Sequence, residues 1–306
     1  MTFFDRGVLT VIVAAIFLGT LSRCSNESED NEPQFGARPP THGIPTYRLA
    51  VHPLHNPTKL MLAYQPLVDY LNARLEGGRL ALESSRDYAD FERKYKTRKP
   101  EFLLPNPWQT LQAMQVGYSV VAMAGEPRDF KGIFVVRKDS GLKEPMDLKG
   151  RSISYPSRTA LAACIMPQRF LHDRGININS DIENRYVGSQ ESSIMNVYLG
   201  LTAAGATWPP PWRAFQKDHP SEAASLKVIW ETESLASNSV MVRNDVPATF
   251  AEQVRTLLIG LDSTDDGKSI LTGMETARFL PASEDDYDVV RQFVLAFERD
   301  VRPVEE

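Results

Sequence analysis

The sequence has few cysteines, few histidines and no excess of positive charge. Only Cys24 and Cys164 are cysteines among the 306 residues, so a framework of several disulfides is excluded. The 34 basic side chains are outnumbered by 39 acidic ones, which gives a net charge of −5 and argues against nucleic acid as a partner. A hydrophobic fraction of 42% is ordinary for a globular protein with a large core.

The sequence also lacks the short motifs of common enzymes. None of G-x-S-x-G, H-E-x-x-H and G-x-G-x-x-G occurs. The stretch DDGKS at 265–269 resembles the end of a phosphate-binding loop, but Asp262 stands where that loop requires its first glycine. The five histidines are scattered, without clustered carboxylates. We therefore expect no catalytic activity, no metal site and no cofactor.

The apolar run at the N-terminus is too short to span a bilayer comfortably. It covers residues 8–21 and is typical of the core of a secretory signal. The run ends in LSRC, which resembles the bacterial lipoprotein signal, in which a cysteine after Leu-x-x becomes the lipidated first residue. Leu21 and Cys24 match this pattern, whereas Arg23 replaces the usual small residue. We predict a signal over 1–24 with a lipid on Cys24, and the alternative is a plain signal peptide.

The stretch after the signal is rich in charges and prolines and has few apolar residues. We predict a disordered tether over 25–45. From Tyr47 onward, β-rich runs alternate with helical patterns of about 10–15 residues, which indicates an α/β fold with parallel βαβ units. The runs predicted as strands are YRLAVHP, RLALESS, EFLLP, YSVVAMAG, GIFVVRKDS, RSISYP, ENRYVGS, GATW, LKVIWETES and SNSVMVRND.

Two of these runs mirror each other. GIFVVRKDS and SNSVMVRND are both β-rich, end in Arg/Lys-x-Asp and lie about a hundred residues apart. We predict that these strands, near 132–138 and 238–243, cross between two lobes. The first lobe would then comprise 46–131 and 244–306, and the second lobe 132–243.

Three blocks of the sequence resemble one known family. They are YQPLVDYLNARL with DYADF, VVRKDSGLKEPMDLKGRSISYPSRT, and VGSQESSIMNVYLGLTAAGATW. Through them the chain resembles, over about 46–298, the substrate-binding proteins of bacterial phosphate, phosphite and phosphonate ABC transporters. The resemblance implies a two-lobed periplasmic-binding-protein fold (type II) with two crossover strands and a ligand cleft between the lobes. It also implies a small oxyanion as ligand, an ABC permease and ATPase as partners, and a place at the periplasmic face of a bacterial membrane.

The stretch YPSRT is the strongest site candidate. A helix rich in small residues is predicted to begin at Thr159, and a helix start offers unpaired N–H groups and a partial positive charge. The hydroxyls of Ser157 and Thr159 can donate to an oxyanion, as the resemblance implies, although Ser157 alone can also serve as the helix cap. Arg158 replaces a common Ser or Thr, and it either adds a charge-assisted contact or faces solvent. Tyr155, at the strand end, completes this group.

Further candidates follow the other strands. His52 and His55 lie in the loop HPLHNP after the first strand, which lines the cleft in the family, and both are candidates for ligand contact. Asn106 in PNPW is predicted as a helix cap, a ligand donor or both. Trp108 is either a core residue or a stacking platform for the organic part of a ligand.

Two candidates in the second half depart from the family pattern. Gln190 stands where many relatives have a histidine, so it can donate a hydrogen bond but carries no charge. Trp208, followed by three prolines, is predicted as an apolar wall of the pocket, with a rigid surface turn as the alternative. Because no acidic residue stands near Trp208 to pair an ammonium, we expect a compact, multiply charged oxyanion rather than a zwitterion.

Two roles fit this site. The first is a lipid-anchored receptor that hands an oxyanion to an ABC transporter. The second is a binding protein of the same fold that senses its ligand for a signalling partner. The sequence does not separate these two roles, and we take the first as our prediction.

Overall fold

The computed structural model describes residues 43–304. The predicted signal, Cys24 and most of the predicted tether lie outside the described residues. Within 43–304, no helix combines the length and apolar character needed to cross a membrane.

The strands of residues 43–304 form two separate sheets. The first sheet has the strand order β11-β4-β10-β3-β1-β2, and the second has the order β7-β6-β8-β5-β9. The first sheet consists of β1 (Thr46–Val51), β2 (Arg79–Glu83), β3 (Phe102–Leu104), β4 (Tyr118–Ala124), β10 (Ser239–Arg243) and β11 (Phe279–Leu280). The second sheet consists of β5 (Ile133–Arg137), β6 (Ser152–Tyr155), β7 (Glu183–Tyr186), β8 (Ala204–Thr207) and β9 (Leu226–Glu231).

Each sheet combines parallel βαβ units with inserted antiparallel strands. In the first sheet β1 runs parallel to β2 and β3, and in the second β6 runs parallel to β7 and β8. The strands β10 and β5 are antiparallel to both of their neighbours. The predicted strands are confirmed in position as β1 to β10, but the sheets are mixed rather than purely parallel, and β11 was not predicted.

The strand β10 does not cross between the sheets. It pairs with β3 and β4 inside the first sheet, although the sequence analysis grouped 238–243 with the second lobe. The chain passes between the sheets in the segments 125–132 and 232–238 instead. These segments run side by side, with Leu235 N donating to the Phe130 carbonyl at 3.0 Å and Thr232 N to the Gly132 carbonyl at 2.9 Å.

The helices cover both sheets. In chain order they are α1 (Pro57–Asn72), α2 (Tyr88–Lys96), α3 (Pro107–Gln115), α4 (Met166–His172), α5 (Gln190–Tyr198), α6 (Pro209–Asp218), α7 (Pro220–Ala223), α8 (Ala248–Ile259), α9 (Asp265–Gly273) and α10 (Asp288–Asp300). A π-helical turn over Leu161–Ile165 leads directly into α4. The three prolines of PPPW form the first turn of α6, where a missing N–H costs least, so they do not form a surface turn.

The C-terminal segment packs against both halves. The helix α8 lies on the first sheet and α10 packs against α3, as expected for a segment that covers the first lobe. The end of α10 and the residues that follow it, however, reach the second half. Asp300 accepts from Arg169 at 2.8 Å, and the buried Arg302 donates to Gln168 at 2.8 Å and to the Arg158 carbonyl at 3.1 Å. The C-terminal segment therefore ties the loop after β6 to the first half.

Candidate functional site

The carboxyl ends of β1, β3, β6 and β8 face one another, and two adjoining cavities lie between them. The inner cavity has room for about one water molecule. It is lined by His52, Tyr88, Asn106, Phe130, Ala160, Leu161, Ala162, Ala163, Gln190, Trp208 and Asn238. The wider outer pocket shares Tyr88 with it and is otherwise lined by Asp87, Ala89, Glu92, Lys96, Pro156, Ser157, Arg158, Thr159, Tyr186, Gly188 and Val304. The predicted YPSRT stretch thus reaches the space between the two sheets.

The helix after YPSRT begins two residues later than predicted. Ala160 occupies the cap position with an extended ψ of 99°, and the first helical residue is Leu161. A run of small residues does not reveal where a helix begins, so the prediction that Thr159 is the first helical residue was wrong. The early N–H groups of a helix have no intrahelical acceptor, and here Leu161, Ala162 and Ala163 border the inner cavity. The positive end of the helix is therefore directed at that cavity.

Hydrogen bonds between neutral side chains close the inner cavity from both sides. Asn106 Nδ2 donates to the Thr159 carbonyl at 3.1 Å, which joins the start of α3 to the loop after β6. Gln190 Nε2 donates to the Tyr88 hydroxyl at 3.2 Å, and Thr207 Oγ1 donates to Gln190 Oε1 at 2.8 Å. These contacts bring two predicted site residues, Asn106 and Gln190, to the same cavity.

Asn106 is both a helix cap and a donor across the cleft. Its Oδ1 accepts from Gln109 N at 3.0 Å, and Gln109 Oε1 accepts in turn from Asn106 N at 3.1 Å. This capping box fixes the amide, so Nδ2 points at the second half. The same box orients Gln109, which is fully buried.

The hydroxyls of Ser157 and Thr159 form a chain that ends on a carboxylate. Their oxygens are 3.1 Å apart, and Thr159 Oγ1 donates to Glu92 Oε1 at 2.6 Å. Gln109 Nε2 donates to the same Glu92 oxygen at 3.0 Å. Glu92 was not predicted from the sequence, although it lies four residues after Tyr88 and therefore on the same face of α2. An acidic side chain at the site removes the reason for which we expected a multiply charged anion.

Arg158 lies in the outer pocket. The centre of its guanidinium is 5.4 Å from the centroid of the Tyr186 ring, within the range of a cation–π contact. Its carbonyl accepts from Arg302, which anchors the backbone of the loop. The guanidinium is therefore beside the predicted oxyanion site and outside the inner cavity.

Three predicted site residues line neither cavity. Trp108 and Tyr155 are fully buried in the core that the two halves share. His55 is partly buried near Lys59, and burial together with that ammonium lowers its pKa to about 4. Trp208, by contrast, does line the inner cavity, where its ring lies 5.4 Å from that of Phe130.

Two more polar residues line the inner cavity: His52, which the sequence analysis named beside His55, and Asn238, which it did not select. His52 Nδ1 lies 2.9 Å from the Leu104 carbonyl, and burial lowers the pKa of the imidazole to about 4. The ring is therefore neutral at pH 7 and donates through Nδ1. Asn238 is buried, and its Oδ1 has no hydrogen-bond partner among residues 43–304. A buried amide oxygen without a partner at a cavity is a natural contact for a ligand.

The lowered pKa of His52 implies that the free energy of unfolding depends on pH. Unfolding restores its ordinary pKa of 6.5, so the unfolded chain binds more protons between that value and about 4. We expect the contribution of His52 to the free energy of unfolding to be complete above pH 6.5 and to decrease as the pH falls towards 4, by up to about 1.4 kcal/mol per pH unit. Denaturant unfolding of the wild type and of His52→Asn across this window should show a shallower loss in the variant. Equal slopes would show that His52 is not buried as a neutral ring.

Comparison with known proteins gives a consistent picture of the family. Residues 49–287 match the profile described as "ABC transporter, phosphonate, periplasmic substrate-binding protein". A curated relative, the probable ABC transporter phosphite binding protein PhnD1 of Prochlorococcus marinus (strain MIT 9301), is 24% identical over 186 residues. That match covers 56% of this chain and 63% of the relative, which is less than two thirds of its length.

Solved structures share the fold at low sequence identity. PhnD1 of Prochlorococcus marinus, solved in complex with methylphosphonate, has a TM-score of 0.76 at 19% identity, covering 84% of this chain and all of that chain. A binding protein component of an ABC phosphonate transporter from Pseudomonas aeruginosa has a TM-score of 0.75 at 15% identity, covering 84% of this chain and 88% of that chain. The fold is that of the two-lobed type II periplasmic binding proteins. This chain belongs to the family of periplasmic substrate-binding proteins of phosphonate ABC transporters, whose members bind a substrate for transport and are not enzymes.

Proposed function

We propose that this chain captures a phosphonate-type oxyanion in the periplasm and delivers it to an ABC permease with its ATPase. The observation that carries the proposal is the inner cavity. The helix start that follows β6 and amide side chains from both halves line this cavity. The chain also belongs to the phosphonate-binding family, which supports the same ligand class. A helix N-terminus is a favourable place for an oxyanion because its N–H groups and its dipole both attract negative charge.

The inner cavity would bind an anion through the dipoles of N–H and amide groups rather than through charged side chains. Among the described residues that line it, none is Lys or Arg, and His52 is neutral at pH 7. The donors on offer are the N–H groups of Leu161–Ala163 and the amides of Gln190 and Asn238. Rotation of the Asn238 amide presents either its oxygen or its NH₂ group to the ligand, so this side chain can pair with an acceptor or a donor.

The two lobes close around the ligand in this proposal. The first lobe carries the first sheet, the second lobe carries the second sheet, and the hinge is formed by 125–132 and 232–238. Ion pairs join the rims of the lobes, from Lys59 to Asp218 and from Arg213 to Glu275. In the state described here the inner cavity holds only about one water, so a ligand enters when the lobes open.

Methylphosphonate is the first ligand to test. It is the ligand of the PhnD1 structure, and its head group is a compact tetrahedral oxyanion. The curated relative is described as a phosphite-binding protein, and phosphite has the same head group without the methyl. Both comparisons support the chemical class, and titration calorimetry with methylphosphonate tests whether this chain binds it.

Loss of either hydroxyl of YPSRT should weaken this binding. We propose that these hydroxyls, which line the adjoining outer pocket, also hydrogen-bond the anion, so Ser157→Ala and Thr159→Val should each cost about 1–3 kcal/mol, or roughly 5- to 150-fold in affinity. Arg158→Ala should cost as much or more if its guanidinium swings from Tyr186 to the anion. Ser180→Ala, an exposed change elsewhere in the second lobe, serves as the control. Unchanged affinity in both hydroxyl variants would show that the stretch has only a structural role.

We further propose that the mature chain begins at Cys24 and is held at the membrane by a lipid on this residue. Support comes from LSRC at the end of the apolar run, followed by a charged and proline-rich stretch. Mass spectrometry of the native N-terminus should find a lipid-modified Cys24 as the first residue. A free N-terminus beyond Cys24 would contradict the anchor and leave a plain signal peptide.

A further inference from the structure

A buried arginine lies behind the helix start that borders the inner cavity. Arg302 follows α10 and is only 6% exposed. Its guanidinium contacts both flanks of the cavity-lining stretch 160–163, because Nη2 donates to the Arg158 carbonyl at 3.1 Å and lies 3.7 Å from Cys164 Sγ. Arg302 itself is not among the described residues that line the inner cavity. Its charge is therefore close to the cavity, with the backbone of the helix start between them.

All three nitrogens of this guanidinium are hydrogen-bonded, but every acceptor that the described part of the chain gives it is neutral. Nε donates to Gln168 Oε1 at 2.8 Å, and Nη1 donates to the carbonyls of Pro303 at 2.7 Å and Val304 at 3.4 Å. The Phe297 ring, whose centroid is 5.3 Å from the guanidinium carbon, attracts the cation without neutralising it. These contacts satisfy the N–H groups of Arg302 and leave its charge in place.

The titratable groups around Arg302 do not supply a counter-charge. Burial raises the pKa of the Cys164 thiol to about 12 and raises the pKa of the Tyr155 hydroxyl well above its ordinary value, so both groups are neutral at pH 7. The two carboxylates in the last turn of α10 accept from other groups, Asp300 from Arg169 and Glu298 from the Val304 N–H. Among residues 43–304, the positive charge of Arg302 is therefore not cancelled by an ion pair.

We propose that Arg302 supplies the positive charge that the lining of the inner cavity lacks. The described lining offers N–H groups and amides but no Lys or Arg. The effective dielectric constant inside a protein is lower than that of water, so a buried charge acts over a longer distance. An anion at the helix start would offset the charge of Arg302, and Arg302 in turn raises the affinity for that anion. Arg302 thus acts on the ligand at a distance, without touching it.

This inference rests on the proposed function and adds to it a charge that makes no contact with the ligand. Arg302 also holds the Arg158 carbonyl, so a purely structural role has to be separated from the role of its charge. A structural role depends on the hydrogen bonds of the guanidinium. A role of the charge predicts weaker binding when Arg302 is neutralised in place, even with its hydrogen bonds kept.

The variant Gln168→Glu neutralises Arg302 without removing it. The carboxylate keeps an oxygen that accepts from Arg302 Nε, and the Tyr186 hydroxyl, which lies 3.3 Å from Gln168 Nε2, can turn to donate to it. We expect titration calorimetry to show methylphosphonate binding about 5- to 20-fold more weakly than to the wild type. This is the order expected for losing a unit charge roughly 10 Å away at an effective dielectric constant of about 20. Gln168→Met removes the same amide without adding a charge and should stay within about threefold of the wild type.

Removal of the charge is the converse test. Arg302→Gln should weaken binding by a similar factor, whereas Arg302→Lys keeps the charge without the planar fork and should stay within about threefold of the wild type. Arg291→Gln and Gln292→Glu make the same two changes of charge at more exposed positions of α10, and both should bind like the wild type. Thermal unfolding followed by circular dichroism checks that each variant folds. Gln168→Glu carries the test if Arg302→Gln does not fold.

The outcomes separate the inference from the function beneath it. If the wild type binds methylphosphonate and Gln168→Glu binds it equally well, the charge of Arg302 does not act on the ligand and the inference fails alone. If Gln168→Met or Arg302→Lys loses as much affinity as Gln168→Glu, the hydrogen bonds matter rather than the charge, and the inference is wrong. If the wild type does not bind methylphosphonate, the proposed function fails together with the inference.

Discussion

The capping box at the start of α3 is the constraint on which the rest of the site depends. Asn106 Oδ1 caps the helix, which leaves Nδ2 aimed at the Thr159 carbonyl of the other lobe. The reciprocal bond orients Gln109, Gln109 holds Glu92, and Glu92 accepts the Thr159 proton. One local motif of four residues thus connects the start of α3 to the loop after β6 and to the hydroxyl of Thr159.

In the second lobe, a helix start that contains Ala162 and Ala163 lies across the inner cavity from this motif. The π-helical turn over Leu161–Ile165 borders the inner cavity, where the short side chains of Ala162 and Ala163 leave space beside the backbone. Behind it, Arg302 binds the Arg158 carbonyl, so the C-terminal segment supports the loop from the protein interior. The proposed anion site therefore consists mainly of backbone and neutral dipoles, and Glu92 and Arg158 line the adjoining outer pocket.

The sequence predicted the features that depend on local pattern. Alternating strands and helices predicted the α/β fold, and the rule that ligands bind beyond strand ends brought Asn106, Thr159, Gln190 and Trp208 together. Sheet membership is not local, so the pairing of β10 with β3 and β4 was missed. Glu92 was missed for the same reason, because its partner Thr159 is 67 positions away in the chain and follows a strand of the other sheet. Both histidines that follow β1 were candidates from the sequence, and only the fold shows that His52 is buried at the inner cavity whereas His55 is not.

The most direct test of the central claim is a crystal structure of the protein with methylphosphonate. The claim is that the head group binds between the capped start of α3 and the helix start at Leu161. The account predicts the phosphorus atom at the inner cavity, with its oxygens within hydrogen-bond distance of the Leu161–Ala163 N–H groups and of Thr159 Oγ1. A head group bound only in the outer pocket, against Arg158 and away from the helix start, would contradict it.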